Sequence, residues 1–121
     1  MSTILWAAQL GLAFVALAHG LLFLFPPEAL RKIRKQNPLP AAFMQFIFVA
    51  EALAAPGLIL PGWTGILPWL TPLAATGLVP ILGGAAVFHL SRREVPPATF
   101  TLVLLVLAAF VAYARWFAIP L

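Results

Sequence analysis

The chain has 121 residues, of which 64% are hydrophobic and 8% charged, and its formal net charge is +4. Soluble domains carry about 25% charged residues, so seven basic and three acidic side chains are too few to clothe a water-soluble globule of this length. Cys and Asp are both missing, which excludes disulfides, thiol redox chemistry and thiolate metal sites.

A transmembrane helix needs about 20 apolar residues to cross a hydrocarbon core about 30 Å thick. Residues 3–25 form such a run without a single charge. Ala16-Leu17-Ala18 has the small-x-small form of a secretory cleavage site, but a signal peptide begins with a basic region. Met1 to Thr3 has no Lys or Arg and the apolar run continues to Phe25, so the segment reads as a membrane span. The connector that follows, 26–40, holds Glu28, Arg31, Lys32, Arg34 and Lys35. Pro26-Pro27 before Glu28 predicts a short helix, with proline at its start and an acid in its first turn. Leu30 and Ile33 then face the membrane while the basic groups meet lipid phosphates, each worth about 1 kcal/mol near an anionic surface. That connector reads first as a topology signal and surface anchor. Its functional alternative is a binding surface for a partner or anionic lipid.

The second span is expected over 41–60, with Glu51 as its one charge, and the connector over 61–71 has none. The third, expected over 66–90, contains Pro68, Pro72 and Pro80. Proline removes a backbone donor, which a bundle tolerates when neighbours satisfy the freed carbonyl. Regular helix is expected from near Pro72, since proline suits a first turn. A short connector with Arg92, Arg93 and Glu94 leads to the fourth span, expected over 98–118. No run alternates polar and apolar residues as a membrane barrel requires. The prediction is a single all-α domain, a four-helix transmembrane bundle.

In a four-span chain the first and third connectors share one side. Six of the seven basic residues, Arg31, Lys32, Arg34, Lys35, Arg92 and Arg93, therefore fall together. The positive-inside bias makes that side cytoplasmic, placing both termini outside an inner or plasma membrane. Trp6, Trp63, Trp69 and Trp116 all map to the other interface, where indoles concentrate. Small residues four apart, Ala7/Gly11, Ala16/Gly20, Ala50/Ala54 and Ala108/Ala112, suit close helix approach in lipid. The expected surroundings are the bilayer and either a membrane-protein partner or further copies of the chain. A nucleic-acid role does not fit so apolar a sequence.

Glu51 is the most informative residue, because an ionisable group deep in a bilayer is costly unless paired or hydrated. It stands ten residues into its helix, a depth of about 15 Å. His19 lies about 9 Å deep on the first helix by the same rise, which makes it the favoured partner for Glu51. Arg115, near the outer end of the fourth span, is the second candidate and must reach inward by about 10 Å. His89 sits at the cytoplasmic end of the third span. Gln45 shares a helix with Glu51 but points about 120° away. No phosphate loop, paired carboxylates, Ser/His/Asp set or metal-ligand cluster is present, so catalysis is not expected and no cofactor is predicted. A haem between His19 and His89 is set aside because their depths differ by several Å.

The segments Ala50-Glu51-Ala52-Leu53-Ala54-Ala55-Pro56-Gly57-Leu58-Ile59-Leu60-Pro61 and Gly84-Ala85-Ala86-Val87-Phe88-His89-Leu90-Ser91-Arg92-Arg93-Glu94, with Ala109 to Arg115, resemble the DoxX-like family of small four-helix membrane proteins. They are similar to its glutamate-bearing second helix, its third-helix exit and its Arg-bearing fourth-helix end. The family's first helix often ends in Gly-x-x-Lys before a proline. Here Gly20 and Pro26 fit, but Phe23 stands where the Lys would be, which leaves His19 to substitute. The resemblance implies Glu51, His89 and Arg115 as motif positions, and it implies links to quinone-related complexes or to membrane-receptor assembly. The leading expectation is a non-catalytic membrane subunit that binds an apolar small molecule, lipid or quinone near Glu51, with His19, Arg115 and His89 as further ligand-binding candidates. The alternative is an assembly or interaction factor.

Overall fold

The computed structural model describes residues 2–36 and 38–121, with Arg34 described in its backbone alone. The expectation that the Arg34 side chain meets the membrane surface lies outside the described residues. Five helices form: α1 (Ser2–Leu24), α2 (Glu28–Gln36), α3 (Ala41–Thr64), α4 (Leu70–Ser91) and α5 (Val95–Tyr113), the last continuing as a π-helical turn over Ala114–Ala118. The segments Ser2–Leu24, Ala41–Thr64, Leu70–Ser91 and Val95–Ala118 are long and apolar enough to cross a membrane. The protein is an all-α integral membrane bundle, and α2 is the short connector helix expected after Pro26-Pro27.

Three helix boundaries differ from the sequence reading by three or four residues, the end of α3 and the starts of α4 and α5, and each lies beside a proline. The second span runs to Thr64 rather than stopping near residue 60. Pro61 has no N–H for the Gly57 carbonyl, and the Thr71 hydroxyl of α4 donates to that carbonyl at 2.9 Å instead. The helix therefore passes through Pro61 and ends at Gly65, whose φ of 70° is the left-handed form glycine adopts freely. Its N–H closes on the Pro61 carbonyl at 2.9 Å. The third span begins at Leu70 rather than 66. A residue before proline is disfavoured in the right-handed helical region, and Leu67, before Pro68, has φ 52°. Pro72 then falls in the first turn of α4, as expected. Pro96 and Pro97 open α5 in the same way, where a missing N–H costs no helical bond.

The principal pairs are α1 on α3 and α4 on α5; α3 against α4 joins them, and α1 meets α5 more thinly. The α1–α3 pair is antiparallel. Gly20 lies against Phe48 and Ala52 at one end, and Trp6 lies against Gly62 at the other. A Cβ at Gly20 would stand 2.7 Å from the Phe48 carbonyl oxygen and 2.9 Å from the Ala52 nitrogen, so only glycine permits this crossing. The Ala16/Gly20 pair thus serves as expected. The Ala7/Gly11 pair does not: both residues are exposed, and a Cβ at Gly11 would meet nothing. Ala108 and Ala112 enter the core with Leu12, Leu58, Leu78 and Val111. Because lipid is as apolar as leucine, such packing works through close van der Waals contact rather than through hydrophobic segregation. This arrangement gathers the two basic connectors at one end of the bundle and the four Trp residues at the other.

Candidate functional site

Polar side chains are buried at two levels of the bundle. The first is at the α1–α3 contact. His19 Nδ1 lies 2.6 Å from Glu51 Oε2, so the favoured partner of Glu51 is the one that meets it. Glu51 is buried, whereas 48% of the His19 side chain remains exposed. The imidazole is held by rings: Phe23 at 4.8 Å and Phe48 at 5.8 Å between centroids, with Phe23 stacked on Phe48 at 5.2 Å. Phe23 therefore supports the side chain that reaches Glu51. Beside the pair is a cavity of about 70 Å³ between α1, α3, α4 and α5, lined by Leu12, Ala16, Leu78, Leu82, Phe100 and Thr101 among others. It has room for about two waters.

The second level lies two turns away, toward the Trp-bearing end. Gln9, fully buried, donates from Nε2 to the Leu58 carbonyl at 2.7 Å, and its Oε1 accepts from Arg115 Nε at 2.6 Å. Arg115 is 4% exposed; its second donor bonds the Ile119 carbonyl at 3.0 Å, and its guanidinium carbon sits 5.6 Å from the Trp6 ring centroid. The expectation of Arg115 as a second-choice partner for Glu51 is corrected by this geometry. A reach inward of about 10 Å is unnecessary when Gln9, one helix away and at its own depth, offers a carbonyl. Sequence reasoning missed Gln9. The depth matching that paired His19 with Glu51 would have found it, since Gln9 and Arg115 both fall in the Trp-bearing half of their spans.

His89 is brought to neither level. Its Nδ1 lies 3.0 Å from Glu94 Oε1, which also meets Arg92 Nε at 3.5 Å, while Arg92 covers the Phe88 ring at 5.3 Å. This cluster staples the turn between α4 and α5, where Arg93 adopts φ 57°. Arg31, Lys32, Lys35, Arg92 and Arg93 are all exposed at this end. Among the described residues no three His, Asp or Glu side chains gather into a metal-binding group.

A larger opening lies elsewhere. A groove of about 1200 Å³ runs along the α3–α4 face, and Glu51 is not among the residues that line it. Its walls include Phe43, Ile47, Leu60, Leu73, Gly77 and Ile81, and among the described lining residues Thr64 is the single polar one.

The family model of the DoxX-like family matches residues 7–111. The chain belongs to the DoxX-like family. The match reaches into all four membrane helices, includes Gln9, His19, Glu51 and His89, and stops short of Arg115. No curated protein matches the chain, and no solved structure does. In this DoxX-like bundle the glutamate of the second span is thus tied to the first span by a histidine, and the arginine of the fourth is tied to it by a glutamine.

Proposed function

We propose that the protein is a non-catalytic membrane subunit that holds a hydrocarbon chain of a membrane lipid or quinone in the α3–α4 groove. The groove itself carries this reading. Its α3 wall extends from Phe43 to Thr64, about 32 Å at the helical rise, which matches a hydrocarbon core about 30 Å thick. A site with one polar lining residue recognises a chain rather than a head group, because small-molecule sites fix polar groups with polar side chains. The cavity beside Glu51 has room for about two waters, so the ligand expected next to Glu51 is assigned to the α3–α4 groove instead. The His19–Glu51 tie then holds α1 against α3 and keeps that wall in place.

The test uses two glycines of the groove. A Cβ at Gly77 or Gly84 meets nothing within 4 Å, and both residues line the groove. Gly77→Leu and Gly84→Leu therefore start from open space and narrow the groove. Native mass spectrometry of the wild type in neutral detergent should show a retained lipid or quinone, and the double variant should lose it while keeping its helicity. Equal retention by both proteins rejects the reading.

A second reading, a docking subunit for another membrane protein, is favoured by α2. That helix touches the bundle mainly through α1 and leaves Arg31, Lys32 and Lys35 exposed. A stoichiometric partner lost on charge reversal of these residues supports it.

A further inference from the structure

Arg115 carries the one buried side-chain polar atom without a hydrogen-bond partner among the described residues, the second terminal guanidinium nitrogen. Buried polar atoms in folded proteins are almost always satisfied, and an exception calls for a physical explanation. The rest of the side chain is firmly placed. Gln9 is fixed by the Leu58 carbonyl and turns its own carbonyl oxygen to Arg115 Nε, and Trp6 covers the guanidinium face. These partners are neutral, and no described carboxylate lies within 4.0 Å of Arg115. At the Trp-bearing end of its span a buried positive charge is thus met by neutral groups alone, whereas buried charges are normally paired. The backbone at this point is also unusual. Arg115 lies in the π-helical turn Ala114–Ala118, a rare form that is frequent at functional sites.

We propose that Arg115 is the anchoring residue of a site for an anionic oxygen head group, a carboxylate or phosphate borne by a membrane amphiphile, at the Trp-bearing end of the bundle. The roof over the guanidinium is the segment from Ile119, which leaves the helix with φ −136° and ψ 70° and gives its carbonyl to one terminal nitrogen. An arriving anion displaces that carbonyl and takes both terminal nitrogens. This is the two-point fork geometry in which arginine binds carboxylate and phosphate most strongly. Gln9 keeps Nε throughout, so the fork is already oriented. The site lies on the α1–α5 side, apart from the α3–α4 groove, and stands whether or not the groove holds a hydrocarbon chain.

All four Trp residues are at this end and none is at the basic end, so tryptophan emission separates binding here from binding at the basic connectors, and the Arg115 and Gln9 variants separate it from binding in the groove. Dodecanoate, dodecyl phosphate and neutral dodecanol are titrated into the full chain in neutral detergent. At least one anion should alter the emission saturably, at a concentration at least tenfold below dodecanol. The stronger of the two identifies a fatty-acid or a phosphate head group. Arg115→Met should abolish the preference. Gln9→Glu, which sets a carboxylate at the guanidinium, should abolish it too, and serves where Arg115→Met fails to fold. A wild type that treats all three probes alike overturns the proposal, leaving hydration of the free nitrogen as the account. An anion preference that survives both substitutions overturns it as well.

Discussion

Removing the two sides of the His19–Glu51 contact should have unequal consequences. Glu51→Gln keeps a side-chain oxygen for the imidazole, so the loss is confined to the difference between two hydrogen bonds. Bonds between membrane helices average about 0.6 kcal/mol and reach about 1.7, which sets the cost of Glu51→Gln at about 1 kcal/mol. His19→Phe keeps a ring against Phe23 and Phe48 but leaves a buried carboxylate without its partner. Leaving a buried polar group unsatisfied costs about 1–3 kcal/mol, more for a charged one. The exposed part of His19 faces lipid and offers no relief, but the small cavity beside the pair can take a water, so about 2 kcal/mol is expected. The double variant should lose less than the sum by about 1 kcal/mol, since side chains in contact share one interaction energy. Reversible unfolding in mixed micelles, followed by far-UV circular dichroism, measures all four corners of the cycle. Additivity within about 0.3 kcal/mol, or Glu51→Gln proving the more damaging single change, would refute the reasoning.

Other substitutions probe the remaining contacts. Gly20→Ala forces a Cβ onto the Phe48 carbonyl and should cost about 1–3 kcal/mol by overpacking, while Gly11→Ala, facing open space, should stabilise α1 by up to about 1 kcal/mol; equal effects in the same unfolding assay would show that the α1–α3 crossing is misplaced. Thr71→Val removes the donor to the Gly57 carbonyl and should cost about 1 kcal/mol, a penalty that shrinks in a Pro61→Ala background, where residue 61 regains its N–H; an undiminished penalty there would refute this role of Thr71. The chain has no native cysteine, so single cysteines at Lys35 and Gly65 can be labelled in intact cells, and the Gly65 site alone should react with an impermeant reagent if the basic end is cytoplasmic.

The number of spans, their approximate limits and the gathering of charge at one end were legible because length, hydropathy and charge are local properties of the chain. Which face of each helix turns inward was not. The four spans are apolar all round, so no amphipathic stripe separates Leu12, buried, from Phe14, 73% exposed. The faces are selected by size, as at Gly20, and by the few polar groups. The same limit explains the mixed outcome at the site. His19 and Glu51 are matched by depth because each is conspicuous in an apolar span, whereas an uncharged Gln9 carries no such mark and leaves Glu51 as the only visible buried partner for Arg115. The extension of α3 through Pro61 depends on Thr71, which lies on another helix, and no local rule reaches that far. The groove arises between α3 and α4 from small residues and prolines whose spacing along the chain carries no separate mark.

The most direct test of the account is to map where a membrane-soluble ligand sits on the folded chain. A fatty acyl chain and an isoprenoid chain, each carrying a diazirine near its middle, can be incorporated with the protein into vesicles, irradiated, and located by peptide mass spectrometry. Crosslinks from at least one of them should concentrate on Ile47, Leu73 and Ile81 of the α3–α4 groove and fall away in Gly77→Leu/Gly84→Leu. Labelling spread evenly over the groove and over lipid-facing residues outside it, such as Phe14 and Val106, would contradict the assignment of that groove as a binding site.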